Sequence, residues 1–416
     1  MNDATFPPAT IVGAGPAGSL LGIFLARRGI GVSLYERRPD MRREAISAGR
    51  SINLALADRG IHALQSAGVL DVVRPLMIPM RGRMIHDESG RTSLQRYGQN
   101  DSEVIYSVSR ADLNKLLLTE LERTASIEVQ FRHNCQGLDF YSGSLSLLDE
   151  RDGAVKQVAA VPVIGADGAS SAIRAAMLAD GRTHATEEVL SHRYKELTIP
   201  AGPGGKHRME TNALHIWPRG GYMLIALPNV DGSFTVTLFL PAEGPESFAT
   251  LTTPDAVQKF FSRRFADAHE LIPDLGEEFF AHPTGTMVTV RAAPWKFADR
   301  AFLIGDAAHA IVPFHGQGMS SAASSVTASA SSRLVTVSTP AASIGRPRVM
   351  TRLRRPGNAL PMDSKVLRPI SMGLPMVTLL KCLRSAGRCH GRRFELPITP
   401  FSAMATTSDR TGPDCG

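Results

Sequence analysis

A glycine-rich segment near the N-terminus has the spacing of a turn that binds phosphate groups. Residues 13–18 read Gly-Ala-Gly-Pro-Ala-Gly, after a short apolar stretch and before a helical apolar pattern. In such a turn Gly13 permits the sharp bend, Gly15 lets a pyrophosphate approach the backbone, and Gly18 allows close packing of helix against strand. The free N–H groups of the helix N-terminus would face the phosphates.

The carboxylate of Glu36 stands at the end of the next apolar stretch, where it can accept hydrogen bonds from a ribose. The glycine turn, the following helix and Glu36 together predict dinucleotide binding. The alternative is an ordinary tight turn between a strand and a helix.

Two later segments also begin where a short apolar stretch ends. Residues 167–174 read Asp-Gly-Ala-Ser-Ser-Ala-Ile-Arg, and residues 305–309 read Gly-Asp-Ala-Ala-His. A third segment, residues 313–319, reads Pro-Phe-His-Gly-Gln-Gly-Met and supplies another glycine-rich turn.

The elements that must position these segments follow from the apolar periodicity. Strands at 10–12 and 31–35 with a helix at 20–28 form a βαβ unit, and a second helix is predicted at 111–124. Alternating runs separated by turn clusters predict an antiparallel sheet with hairpins. These runs lie at 214–217, 222–227 and 234–240, and short strands are predicted at 161–165 and 301–304.

The order of these elements predicts an α/β fold in which a sheet domain is inserted into a Rossmann-like nucleotide-binding domain. We place the first part of the binding domain at 1–180, the sheet domain at 181–290 and the return segment at 291–319. Residues 320–416 form a low-complexity basic tail, rich in serine, arginine and proline, which we expect to be disordered. The tail is either a linker or the product of a shifted reading frame in a GC-rich gene.

The charge, the apolar runs and the cysteine spacing argue against several classes of protein. The net charge of +7 arises from the tail, because residues 1–319 are slightly acidic, so we expect no nucleic-acid partner. No apolar run is long enough to span a membrane, and the N-terminus does not resemble a signal peptide. The cysteines at positions 135, 382, 389 and 415 lack paired or metal-ligand spacing, so we expect a reducing cytoplasmic setting and no metal.

The segments at 13–18, 167–174 and 305–309 resemble, in this order, three motifs of the FAD-dependent aromatic-ring hydroxylases related to p-hydroxybenzoate hydroxylase. Other stretches between residues 8 and 319 are similar to the kynurenine 3-monooxygenases within that group. They lie at 36–39, 49–56, 80–84, 194–197, 212–218, 234–239 and 313–319.

This resemblance implies FAD as the cofactor and NADPH and dioxygen as co-substrates. The implied reaction converts L-kynurenine to 3-hydroxy-L-kynurenine, a step of tryptophan degradation and pyridine nucleotide biosynthesis. No catalytic side chain is implied, because the oxidant is a flavin hydroperoxide. The protein would supply orientation and a dry pocket.

The resemblance also implies site residues. Arg83 and Tyr97 would hold the substrate carboxylate, with Arg81 as the rival arginine, and His315 could orient the substrate. His309 is interpreted as structural. The pocket lining would comprise Met223, Ile225, Leu227, Phe239, Pro313 and Phe314. The cofactor residues would be Gly13, Gly15, Gly18, Glu36, Arg110, Asp167, Asp306, Gly318 and Met319.

The sequence departs from the family pattern after Met319. The family continues with asparagine and an acidic helix, whereas this chain has Ser320-Ser321-Ala322-Ala323. The asparagine and tyrosine that family members add from C-terminal helices have no matching motif here. Two alternatives therefore stay open, a non-catalytic or impaired FAD-binding product and an aromatic hydroxylase with a different acid substrate.

Overall fold

The computed structural model describes residues 8–44, 52–124, 127–160 and 162–312. All structural statements below concern these residues. None of the helices in these ranges is long and apolar enough to cross a membrane. The predictions for the tail 320–416 and for Pro313, Phe314, His315, Gly318 and Met319 fall outside these ranges.

Strands dominate the described part of the chain and form two large sheets and two small ones. In chain order they are β1 (Ala9–Val12), β2 (Val32–Glu36), β3 (Leu54–Leu56), β4 (Ile78–Met80), β5 (Gly82–His86), β6 (Thr92–Arg96), β7 (Ile105–Val108), β8 (Ile127–Phe131), β9 (His133–Asp139), β10 (Ser144–Asp149), β11 (Val155–Ala159), β12 (Val163–Gly165), β13 (His184–Ile199), β14 (Ala213–Arg219), β15 (Tyr222–Pro228), β16 (Phe234–Pro241), β17 (Gly285–Ala293), β18 (Lys296–Phe297) and β19 (Ala301–Leu303).

The helices are short, and several begin at a side-chain cap. The Ser109 hydroxyl accepts a hydrogen bond from the Asp112 amide, and the Ser171 hydroxyl accepts one from the Arg174 amide. In chain order the helices are α1 (Pro16–Ala26), α2 (Asp58–Ser66), α3 (Leu70–Val73), α4 (Arg110–Arg123), α5 (Ala172–Ala179), α6 (Pro254–Arg264), α7 (Ala266–His269), α8 (Leu275–Ala281) and α9 (Asp306–His309).

The first large sheet has the order β18-β19-β12-β1-β2-β8 and is parallel except for β18. Strand β1 lies inside the sheet and is buried along its whole length. Helices α1 and α4 pack against each other over one face of this sheet. The predicted βαβ unit is confirmed, although α1 starts at Pro16, earlier than predicted, because proline is well tolerated in a first helical turn.

The second large sheet has the order β17-β13-β16-β15-β14-β5-β6. Its hairpin strands β14, β15 and β16 cover the alternating runs that the sequence predicts. Strands β5 and β6 also join this sheet, which extends it beyond the predicted 181–290 segment. The strand pairings within 181–290 are antiparallel, as predicted, whereas the added strand β5 pairs with β14 in parallel.

The two faces of the second sheet differ in what covers them. One face packs against helices α6, α7 and α8 through Trp217, Leu224, Phe261 and other buried side chains. The opposite face carries a separate apolar cluster that includes Ile225 and Phe239. Because side chains alternate along each strand, neighbouring residues serve opposite faces of the sheet.

A hydrogen-bonded chain of polar side chains lies on the helix-covered face. His86 Nδ1 is 2.7 Å from an Asp267 carboxylate oxygen, and His86 Nε2 is 2.9 Å from His215 Nδ1. His215 Nε2 donates to the Glu210 carbonyl oxygen at 2.8 Å, and the Trp217 indole donates to Asp267. These bonds connect strands β5 and β14 to helix α7.

The protonation state of His215 fixes the direction of the hydrogen bond between the two histidines. Burial lowers the pKa of His215 to about 4, so its ring is neutral near pH 7 and its Nδ1 accepts. His86 Nε2 is then the donor in the bond between the two histidines. Burial by itself would raise the pKa of the Asp267 carboxyl, but hydrogen bonds from His86 and Trp217 outweigh it, so the pKa is lowered. The hydrogen-bonded chain of Asp267, His86 and His215 therefore stabilises this part of the sheet.

The depressed pKa of His215 predicts a loss of stability in mild acid. The unfolded chain takes up a proton on this histidine near pH 6.5, whereas the folded chain resists it down to about pH 4. The stabilisation is fully present above pH 6.5 and is lost as the pH falls through this window. Between pH 7 and pH 5 we expect the free energy of unfolding to fall by about 2 kcal/mol from His215 alone.

Urea unfolding of the wild type and of His215→Gln at both pH values measures this contribution. The variant should be less stable at pH 7 but should lose less stability on acidification. Equal losses in the two proteins would show that His215 does not carry the effect.

Candidate active site

Three of the predicted cofactor segments meet at one edge of the parallel sheet. Strand β1 pairs with β12 so that Val12 lies opposite Gly165, and β12 pairs with β19 so that Gly165 lies opposite Leu303. The segments beginning at Gly13, Ala166 and Gly305 follow directly. The carboxyl edge of a parallel sheet, where strands end side by side, is the usual place for a bound nucleotide.

The glycine turn after β1 has the geometry that its sequence predicts. Gly13 has a φ of 101°, which favours glycine, and a side chain there would clash with the Ala166 carbonyl. A side chain at Gly18 would clash with the Gly13 carbonyl. Gly15 is different, because a Cβ built there has no protein atom within 4 Å. Gly15 is also the N-cap of α1 and provides no side-chain cap, so the N–H groups of the first turn can bind a ligand.

Glu36 at the end of β2 is buried and turned toward this glycine turn. Its Oε2 accepts a hydrogen bond from the Ala14 amide at 2.8 Å, and its Oε1 accepts bonds from the Arg38 amide and guanidinium. Burial acts to raise the pKa of this carboxyl, but the contacts with Arg38 and Ala14 lower it overall. The carboxylate thus stays ionised and braces the turn. Its predicted contact with a ribose stays a prediction.

The two predicted aspartates occupy the ends of the neighbouring strands. Asp167 Oδ2 accepts a hydrogen bond from the Ala172 amide at 2.7 Å, whereas its Oδ1 is buried without a partner. Burial raises the pKa of Asp167 above its ordinary value. Asp306 begins helix α9 after Gly305, whose φ of 58° again favours glycine. His309, at the end of this helix, packs against the Trp295 ring at 5.1 Å between centroids, which agrees with the structural role predicted for it.

Arg110 is exposed at the first position of helix α4. A cation there is unfavourable for the helix dipole, which places positive charge at the N-terminus. Among the described residues no carboxylate forms an ion pair with Arg110, so the helix-capping salt bridge that could explain it structurally is not observed there. Its predicted contact with FAD stays a prediction.

The sequence interpretation assigned no role to Arg174, which connects two of the three segments. This buried guanidinium donates to the carbonyl oxygens of Ala169 and Ala307 and contacts Glu187 at 2.6 Å. It therefore ties the loop after β12 to helix α9. The arginine is visible at the end of the 167–174 motif, but its partner Ala307 lies far away in the sequence, so no local pattern indicates this connection.

The structure brings the two residues predicted for the substrate carboxylate together. Arg83 on β5 lies with its guanidinium carbon 5.4 Å from the centre of the Tyr97 ring. Arg83 Nε and the Tyr97 hydroxyl are both buried without a hydrogen-bond partner. Burial raises the pKa of Tyr97, partly offset by the nearby Arg83 cation, so its hydroxyl keeps its proton. The rival Arg81 is exposed.

An apolar cluster adjoins this pair on the face of the second sheet that the helices leave free. It contains four of the residues predicted to line the pocket, Met223, Ile225, Leu227 and Phe239, and Tyr97 packs against it. Val312 also packs against the cluster, immediately before the predicted residues Pro313 and Phe314. The sequence interpretation missed four further members. They are Ala55, Met80, Leu214 and Met287.

The four predicted lining residues could be recognised from the sequence, because the alternating pattern of β15 and β16 indicates which side chains share one face of the hairpin. The missed residues come from four different strands in two sheets, and only the packing of these distant strands brings them into one cluster.

Comparisons with known proteins agree with this geometry. Residues 7–343 match the family model described as an FAD binding domain. A kynurenine 3-monooxygenase from Myxococcus xanthus (strain DK1622) is 53% identical over 319 residues, which cover 77% of this chain and 69% of that protein. One from Xanthomonas axonopodis pv. citri (strain 306) is 52% identical over 313 residues, covering 75% and 69%.

This chain belongs to the kynurenine 3-monooxygenase family.

Solved structures show the same fold at much lower identity. The tetrameric form of 2-methyl-3-hydroxypyridine-5-carboxylic acid oxygenase has a TM-score of 0.63 at 19% identity, covering 79% of this chain and 82% of that one. The Pseudomonas aeruginosa protein PqsL, in complex with 2-aminobenzoylacetate, has a TM-score of 0.60 at 20% identity, covering 78% and 85%. The p-hydroxybenzoate-hydroxylase-like α/β fold predicted from the sequence is therefore confirmed.

FAD fits the residues of this family member at the sheet edge. The open side of Gly15, the uncapped start of α1 and the unpartnered oxygen of Asp167 all lie at the carboxyl edge of the parallel sheet. Hydrogen-bond donors for phosphate and acceptors for hydroxyl groups are thus both present. These are the groups that a flavin dinucleotide requires.

The contrast between Gly15 and Gly18 yields a matched test of the turn in this kynurenine 3-monooxygenase family member. Gly15→Ala should leave the thermal stability of the FAD-free protein nearly unchanged, because its methyl group meets no protein atom. It should still weaken FAD binding, because the methyl group would stand where the pyrophosphate is predicted to approach. Gly18→Ala should lower the stability of the FAD-free protein itself, because the methyl group meets the Gly13 carbonyl.

Melting temperatures without FAD and FAD titrations by flavin fluorescence separate the two effects. Unchanged FAD affinity in Gly15→Ala would contradict the placement of the pyrophosphate at this turn.

Proposed function

We propose that this protein is an NADPH-dependent FAD monooxygenase that hydroxylates L-kynurenine to 3-hydroxy-L-kynurenine. The observation that carries the proposal is the pair Arg83 and Tyr97, with buried unpartnered polar atoms, beside an apolar cluster in a chain of this family. An amino acid with an aromatic side chain matches both parts of such a site.

Arg83 and Tyr97 would bind the substrate carboxylate. A guanidinium forms charge-assisted hydrogen bonds to a carboxylate in a planar, two-point geometry, and the protonated Tyr97 hydroxyl adds one more donor. A buried polar atom without a partner costs free energy, so both groups gain when a carboxylate arrives. Arg81 is exposed to water, so it would gain less free energy from binding the carboxylate.

The apolar cluster would hold the aromatic ring and exclude water. Ile225 and Phe239 are almost completely buried, and Met223 packs against their cluster. A ring between such side chains loses its hydration and keeps a fixed orientation, which is the contribution that proximity makes to a reaction. Outside the described ranges, Pro313 and Phe314 stay predicted as lining residues, His315 as a residue that orients the substrate, and Gly318 and Met319 as cofactor residues.

The predicted cofactor residues would hold FAD in place. The amides at the start of α1 would hold the pyrophosphate, Glu36 a ribose and Asp306 the ribityl chain, with Arg110 and Asp167 as further contacts. Bound FAD, reduced by NADPH, supplies the chemistry that transfers one oxygen atom of dioxygen to the ring. No side chain need act as a catalytic acid or base in this scheme.

A spectroscopic and kinetic test distinguishes this function from the alternatives. Purified protein should bind FAD, and L-kynurenine should stimulate NADPH oxidation and yield 3-hydroxykynurenine. An FAD-bound protein that forms no product would favour the non-catalytic alternative. Turnover of p-hydroxybenzoate but not of kynurenine would favour an aromatic hydroxylase with another acid substrate.

We also propose a cytoplasmic location. The proposal rests on the cysteine spacing and on the free, buried thiol of Cys135, whose pKa burial raises to about 12.

For the carboxylate site, we expect Arg83→Ala to weaken L-kynurenine binding about tenfold to a hundredfold. This corresponds to the loss of a charge-assisted contact of about 1.5–3 kcal/mol. FAD content should not change, because Arg83 lies on β5 and not at the edge of the parallel sheet. Titration of the FAD-loaded protein with L-kynurenine, followed by the flavin absorbance, measures the affinity.

Arg81→Ala is the matched control, since it removes an exposed arginine two residues away. If the control loses substrate affinity and Arg83→Ala does not, the rival assignment is right.

A further inference from the structure

Thr237 in strand β16 has a buried hydroxyl with no hydrogen-bond partner. Its exposed fraction is 0%, and its Oγ1 is among the buried polar atoms that the protein leaves unsatisfied. A hydroxyl in an apolar setting loses its bonds to water without compensation. The Thr237 hydroxyl would therefore gain a hydrogen bond if a bound ligand supplied the missing partner.

The strand register places Thr237 on the face that carries the apolar cluster. It lies directly opposite Ile225 of β15, and Phe239 follows two residues later on the same face. In the other direction it pairs with Glu196 of β13. The Thr237 hydroxyl is thus a polar group next to the cluster where we place the aromatic ring.

Thr235, two residues earlier, provides an internal comparison. It lies on the same face of the same strand, but its hydroxyl donates to Asn53 Oδ1 at 3.2 Å and accepts from Asn229 at 3.1 Å. The two threonines differ in that the protein satisfies one hydroxyl and leaves the other without a partner.

Thr237 also lies at a useful distance from the carboxylate site. Strand β5, which carries Arg83, is separated from β16 by β14 and β15, so the two strands are three positions apart. Three strand spacings amount to about 14 Å, and the register places Thr237 two residues farther along its strand than the row of Arg83, so the two residues lie about 16 Å apart. An arginine side chain and a kynurenine molecule end to end can bridge that span. The hydroxyl of Thr237 is therefore placed for the aromatic end of the substrate rather than for its carboxylate.

We propose that the Thr237 hydroxyl accepts a hydrogen bond from the aromatic amine of L-kynurenine and positions the ring. This inference rests on the proposed function. In a 2-aminophenyl ketone one amine N–H bonds internally to the ketone oxygen. The other N–H points away from the ketone, beside the ring carbon that is hydroxylated, and needs an acceptor when water is excluded.

Such a bond has an orienting and an electronic consequence. It fixes the side of the ring on which the amine lies, so the carbon to be hydroxylated is held in one place. An acceptor on the N–H also increases electron donation from nitrogen into the ring, which favours attack by an electrophilic oxygen. Thr237 is thus a positioning and specificity-determining residue that distinguishes substrates with this amine from those without it.

The test compares two ligands on Thr237→Val, which replaces the hydroxyl by a methyl group of similar size. The ligands are L-kynurenine and 2-amino-4-oxo-4-phenylbutanoic acid, which lacks only the aromatic amine. We expect the variant to bind L-kynurenine about three- to tenfold more weakly and the second ligand with unchanged affinity. The product formed per NADPH consumed should also fall, while Thr237→Ser should restore both values.

Thr235→Val is the matched control. It should lower the melting temperature of the FAD-loaded protein, because it breaks bonds to Asn53 and Asn229, without changing the ratio of the two ligand affinities. Thr237→Val should leave the melting temperature without substrate unchanged or higher.

The remaining outcomes overturn the inference. Equal weakening of both ligands, or of neither, excludes the bond to the amine, and a large drop in melting temperature for Thr237→Val shows a structural role. If the wild type binds FAD but not L-kynurenine, the proposed function fails, and the inference fails with it. Wild-type binding without an effect of Thr237→Val rejects the inference alone.

Discussion

The parallel pairing of β1, β12 and β19 is the constraint on which the cofactor site depends. These three short strands come from the beginning, the middle and the end of the described residues, and their register brings Gly13, Ala166 and Gly305 to one edge. Both glycines, Gly13 and Gly305, adopt positive φ, so the chain can turn sharply after β1 and β19. Arg174 then holds two of the resulting loops together through their carbonyl groups. If this register slipped by one residue, every side chain of these strands would change face.

The parts of the fold that the sequence predicted are those whose signals are local. The glycine turn, helices α1 and α4 and the hairpins β14 to β16 each have their periodicity and turn residues within a short stretch. The association of β5 and β6 with β14 could not be predicted in this way, because β5 lies far from β14 in the sequence and pairs with it in parallel. Nothing in the five residues of β5 specifies which strand they join.

The same limit applies to the candidate site. The roles proposed for Arg83 and Tyr97 came from a family resemblance, and the residues themselves would equally suit a surface ion pair. Their separation from solvent and their contact with one another depend on the β5–β6 hairpin and its place in the sheet. Arg174 and Thr237 were overlooked because their significance lies in what surrounds them. The Arg174 guanidinium donates a hydrogen bond to the carbonyl of distant Ala307, and the Thr237 hydroxyl lacks a hydrogen-bond partner.

The polar groups on the two faces of the second sheet differ in whether they have hydrogen-bond partners. On the helix-covered face, hydrogen bonds join His86 to His215 and to Asp267, so these polar groups are satisfied within the protein. On the opposite face, Arg83, Tyr97 and Thr237 each retain a buried polar atom without a partner. Each such atom costs the folded protein about 1–3 kcal/mol.

The second sheet thus keeps its unsatisfied buried side-chain atoms on the face that carries the apolar cluster, where a ligand can bond to them. A ligand that binds only the folded state then adds its binding free energy to stability. It follows that the face carrying the apolar cluster gains more from occupancy than any other part of the sheet. The helix-covered face holds the strands in place whether or not a substrate is present.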